Sequence, residues 1–166
     1  MNRRLTSRLG LALIALALTA SPTLGANLRF TAVLKGANER PIPVDTNAAG
    51  LAKFTLSADG TSITYRLIVA NIDGVTQAHI HCGTPDVAGP VVVFLYGFNP
   101  VGVTVNGILA EGTITQADVI PRAASAACPG GVATLADVID KIETGGAYAN
   151  VHTLTWPAGE IRGAIR

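Results

Sequence analysis

The chain predicts an all-β fold: an antiparallel β-sandwich with one short helix set in a long loop. Three observations carry that prediction. Most of the sequence alternates apolar and polar residues with the period of two that half-buried strands show. Gly, Pro, Asn and Asp interrupt it at short intervals, as turns require. One segment alone keeps a clear helical period.

In order, Leu28, Phe30, Ala32 and Leu34 alternate with Arg29, Thr31, Val33 and Lys35 to give a first strand. Pro41-Ile42-Pro43 lacks two amide donors, so that stretch is a loop. Ala52, Phe54 and Leu56 against Lys53, Thr55 and Ser57 make the next strand, and Asp59-Gly60 signals a hairpin turn. The returning strand places Ile63, Tyr65, Leu67 and Val69 on one face, and Asn71 to Gly74 reads as the turn that ends it. A strand bearing His79 and His81 follows, then a Gly/Pro-rich loop from Gly83 to Pro90. The unbroken apolar run Val91 to Leu95 reads as a core strand, and another strand is expected over Gly107 to Thr113. A helical turn starting at Thr115 must stop before Pro121.

Leu135, Val138, Ile139 and Ile142 fall at i, i+3, i+4 and i+7, with Thr134 placed to cap the segment and Gly145 to end it; this is the one helix. In the tail, Asn150 and His152 share a face and Val151 and Thr153 take the other. Trp156-Pro157-Ala158-Gly159 then turns the chain. Glu160 to Arg166 completes the sheet, with Ile161 and Ile165 on one side and Glu160 and Arg162 on the other. Seven or eight strands result.

Residues 1–26 read as an export signal. Arg3, Arg4 and Arg8 precede an apolar run from Leu9 to Ala20, followed by Ser21, Pro22 and small residues near Gly25 and Ala26. An apolar core of about twelve residues is shorter than the roughly 20 needed to cross a bilayer, so cleavage rather than anchoring is expected. With Cys82 the first cysteine, a lipid anchor just after the signal has no attachment point. The expected mature chain, 27–166, is a single domain, secreted or periplasmic, with no membrane span. It keeps nine basic against eleven acidic residues, a formal −2 that disfavours nucleic acid and leaves an extracellular protein or envelope ligand as the expected partner. In an exported chain the two cysteines, Cys82 and Cys128, are expected to pair. The alternative is Cys82 as a thiolate copper ligand, although its side chain points to the face opposite the neighbouring histidines.

All three histidines lie in two short motifs, Ala78-His79-Ile80-His81-Cys82-Gly83 and Tyr148-Ala149-Asn150-Val151-His152-Thr153. Residues two apart in a strand project to one face, so His79 and His81 stand together, and one further strand can bring His152 beside them. No serine sits in a nucleophile-elbow context, and Gly130-Gly131 lacks the lysine of a phosphate loop.

The order of these motifs, with Gly89-Pro90-Val91-Val92 between them and Gly159-Glu160-Ile161-Arg162-Gly163 after, resembles the CHRD domain named after chordin. The matching positions also include Asn150 and Thr153, and the resemblance covers essentially the whole mature chain. It implies an immunoglobulin-like β-sandwich similar to that of copper/zinc superoxide dismutases, and it implies no reaction. The His79-x-His81 spacing is similar to the copper strand of those dismutases. They use about six histidines and an aspartate over two metals, however, and three histidines cannot build a bridged zinc subsite. The arginine of their electrostatic loop has no recognisable counterpart.

Three functions follow. The first is a non-catalytic binding module whose histidines hold strands in register by bonding Glu160, Asn150, Thr153 or loop carbonyls. A copper (or zinc) binding protein using His79, His81 and His152 is the second. The third is a dismutase-like redox enzyme on the same ligands, with an open coordination position. Imidazoles more than about 8 Å apart would rule out the second and third together.

Overall fold

The computed structural model describes residues 27–166; the export signal expected over 1–26 lies outside the described residues. Seven antiparallel strands and one helix follow in the order β1 (Arg29–Lys35), β2 (Ala49–Leu56), β3 (Ile63–Cys82), β4 (Val91–Tyr96), β5 (Val103–Ile114), α1 (Leu135–Glu143), β6 (Ala147–Thr153) and β7 (Ile161–Ala164). The expected all-β architecture with a single helical insertion is therefore present.

The organising element is β3. Its first half pairs with β2 from Ile63 to Ala70 and with β5, while its second half pairs with β6 from Val75 to Cys82 and with β4. Because β2 continues through β1 and β7 to β6, the sheet closes on itself through β3. Asn71 to Gly74 does not end the strand as the turn residues suggest. Asn71 and Gly74 both take positive φ, 54° and 62°, inside β3, and the register with β5 shifts there. A β-bulge absorbs extra residues in one strand and bends it without reversing it, so the turn signal produces a kink. The partner β5 also runs longer than the expected 107–113 and follows the kinked strand across the bend.

Alternation decides what lies inside. Ala32 and Leu34, Ala52 and Phe54, Ile63, Leu67 and Val69, Ala78 and Ile80, Ala149 and Val151, and Ile161 and Ile165 fill the interior. Leu135, Val138 and Ile142 of α1 add its apolar stripe to the same core. Val92, Val93 and Leu95 of β4 are buried, but among the described strands β4 pairs with β3 alone, and Phe94 stays 45% exposed. Cys82 and Cys128 form a disulfide at the end of β3, which removes Cys82 as a thiolate ligand.

Candidate metal centre

His79 and His81 stand on the face of β3 opposite Ala78, Ile80 and Cys82, as the period of two requires. Their cross-strand partners in β6 are Asn150 and Tyr148, so His152 lies diagonally beside His79. This face would be solvated in an ordinary barrel. Here a loop covers it, and His79, His81 and His152 are each less than a tenth exposed.

Arg162 on β7 holds that cover down. Its Nη2 donates to the carbonyls of Thr84 at 3.2 Å, Pro85 at 2.9 Å and Val87. Its guanidinium carbon sits 3.6 Å from the centre of the Tyr148 ring, and that ring stacks on His81 at 4.8 Å with an interplanar angle of 10°. The Tyr148 hydroxyl accepts from the Gly89 amide at 3.0 Å. Gly89 is required by close approach, because a Cβ there would overlap the Cys82 carbonyl. The cover thereby brings the Gly89 carbonyl to 2.9 Å from His81 Nδ1.

The rings are aimed by their main-chain partners. Carbonyls accept only, so His81 Nδ1 donates to Gly89 and His152 Nδ1 donates to Pro157 at 3.0 Å. In neutral imidazole the lone pair then lies on Nε2 of both residues. His79 Nδ1 is 3.1 Å from His152 Nε2 and donates to it, leaving His79 Nε2 and His81 Nε2 buried without a partner. One nitrogen from each ring falls in a cluster whose members all lie within 4.8 Å of one another. Two nitrogens bound to one ion at about 2.0–2.1 Å are at most about 4.2 Å apart, so the widest pair must close by roughly half an ångström to share an ion. Phe94 meets His79 edge-on at 4.5 Å and shields that side.

Burial keeps all three rings neutral. Desolvation, followed by the neighbouring His152 and His81, holds the His79 pKa down at about 3. His81 is held at about 4, mainly by desolvation, with His152, Arg162 and Arg122 adding to the effect against the Gly89 hydrogen bond. Desolvation also lowers His152, against the bond to Pro157.

Other expected site residues are distributed differently. Among the acceptors expected for the histidines, only loop carbonyls serve. Asn150 donates to Glu39 at 2.8 Å, and Thr153 donates to Glu160 at 2.8 Å. Glu160 also accepts from Thr46 at 2.8 Å, while Arg162 reaches into the loop cover, so each pairs with neighbours on other segments. Pro90 accepts from the Cys82 amide, and Gly159, at φ 129°, packs against Asn150 and Glu39 where a side chain would collide. Gly163 lies in β7 opposite Ala149. Glu39 was not visible as part of this layer from sequence. It is buried, and desolvation, opposed by Arg162 and Asn150, raises its pKa to about 7.

These features define an all-β module with a polar layer between one face and its loop cover, and with three histidines able to hold a metal. Residues 30–165 match the family model described as CHRD domain, and the chain belongs to that family. No curated protein and no solved structure matched it.

Proposed function

We propose that this CHRD domain is a metal-binding module holding one copper ion through His81 Nε2, His152 Nε2 and one ring nitrogen of His79, whose bond to His152 the ion replaces. The observation that carries the reading is the pair of backbone hydrogen bonds, His81 to Gly89 and His152 to Pro157. Metal-bound histidines commonly donate the second ring N–H to such an acceptor, which fixes the tautomer and aims the lone pair. Histidines serving only to hold strands together have no need to converge their free nitrogens.

Neutral imidazoles suit copper and zinc alike. The donor set carries no negative charge, and Arg162 and Arg122 lie close enough to depress His81. A positive field at a buried site disfavours an ion of higher charge, so copper(I) is favoured over zinc(II). We further propose a secreted or periplasmic location, supported by the Arg-led apolar segment over 1–26 and the Cys82–Cys128 disulfide.

The test is elemental analysis of the purified full chain after exposure to copper(I) or zinc(II) and removal of free ion. About one copper per chain is expected, undisplaced by equimolar zinc, and lost in the His79→Ala/His81→Ala/His152→Ala variant. The conservative His152→Gln variant guards against misfolding and should also lose the ion. A folded wild-type chain that retains no metal would overturn the reading and leave a non-catalytic binding module with a hydrogen-bonded histidine cluster.

A further inference from the structure

On the outer face where β1 meets β7, beyond the Arg162 side of the loop cover, lies a cleft of about 350 Å³. Its apolar lining comes from Val33, Ala164 and Pro85, and three guanidinium groups, Arg40, Arg162 and Arg166, surround it. That volume lies at the lower end of small-molecule sites.

The cationic groups are incompletely matched. Arg162 is almost wholly buried, yet its Nε has no partner and its hydrogen bonds to the chain all come from Nη2. The guanidinium is fixed in place by the three loop carbonyls on one side and the Tyr148 ring on the other. Arg40 is oriented by the carbonyls of Asn38 and Glu39, with Nη1 at 3.1 and 2.8 Å. Among the described residues, Asp86 is the single carboxylate within 4.0 Å of any of the three, 3.4 Å from Arg40 and itself 80% exposed. A mostly exposed ion pair of that kind is worth little and yields easily to a competing anion. Neutral carbonyls and a ring only partly offset the cost of removing a rigid cation from water, and an incoming anion relieves more of it.

We infer that this cleft binds a small organic acid, its carboxylate held by Arg40, Arg162 and Arg166 and its apolar body resting on Val33, Ala164 and Pro85. Arginine's planar fork matches a carboxylate, and the apolar floor selects an acid with a hydrocarbon body over a bare oxyanion. The assignment does not rest on a metal at the histidines, although Arg162 also stacks on Tyr148 beside His81.

Titration of the full chain with benzoate, benzamide and inorganic phosphate, followed by calorimetry or NMR shifts, tests the assignment. Benzoate is expected to bind saturably, more tightly than phosphate, and more weakly as salt is raised. Benzamide, which lacks the charge, should not bind. The Arg40→Gln/Arg166→Gln variant should weaken benzoate by about tenfold or more. Because Arg40 also holds main-chain carbonyls, the second variant is Val33→Asp, at a position more than half exposed, which should abolish binding while melting remains cooperative. Absence of saturable benzoate binding, equal binding of benzamide, a preference for phosphate, or benzoate affinity unchanged in both variants would each overturn the proposal.

Discussion

Glu39 and the histidines titrate in opposite senses, and the difference sets the pH response of the metal-free protein. His79 and His81 have folded pKa values of about 3 and 4, below the ordinary 6.5, so between those values the unfolded chain binds protons that the folded chain refuses. Their contribution is present above about pH 6.5 and is lost as pH falls toward 4. Glu39 behaves inversely: its folded value of about 7 exceeds the ordinary 4.5, so its contribution is present below pH 4.5 and is lost as pH rises through 7. Thermal melts of the chelator-treated chain should therefore show stability falling from pH 6.5 to 4. In Glu39→Gln, which keeps an acceptor for Asn150, that fall should steepen, and the variant should gain on the wild type most at pH 7.5. A parallel profile for the two proteins would show that Glu39 does not carry its proton in the fold.

Helix α1 shows how local signals and packing combine. Nine residues are too few for a stable isolated helix, so α1 depends on burying Leu135, Val138 and Ile142 and on its cap. Thr134 accepts from the Asp137 amide at 3.2 Å, and the Asp137 carboxylate in turn accepts from the Thr134 amide at 2.8 Å. Thr134→Ala should cost about 1 kcal/mol in denaturant unfolding and leave metal stoichiometry unchanged. This element was legible in the sequence because its cap, stripe and terminating Gly145 are all local. The strands β1, β2 and β6 were legible for the same reason, through strict alternation. At Asn71 to Gly74 the residues that favour positive φ were read correctly, but whether they reverse a strand or kink it depends on β5, about thirty residues away. The histidine positions were likewise legible, since two lie in one strand and all three lie in motifs. Their fixed tautomers were not, because the acceptors are carbonyls of Gly89 and Pro157, and any residue supplies a carbonyl. Glu39 was hidden for a related reason: its burial arises from Asn150 and Gly159, more than a hundred positions later.

At the scale of the whole molecule, closure through β3 makes one cooperative body of the described chain, and the disulfide constrains its unfolded state. Closing a loop of sequence separation 46 contributes about 4 kcal/mol on the chain-entropy account. Cys82→Ala/Cys128→Ala should lose stability of that order in denaturant titration, with the histidine layer affected early because Cys82 follows His81 directly. The same crosslink has a topological effect. It turns the segment carrying β4 and β5 into a covalent ring rooted on the strand that bears the histidines. A protease that cuts once between Gly83 and Ala127 opens the ring without dividing the molecule, so nicked and intact forms migrate together until a reductant separates them. If the cut falls beside Gly89, His81 loses its carbonyl anchor while the two pieces stay tethered.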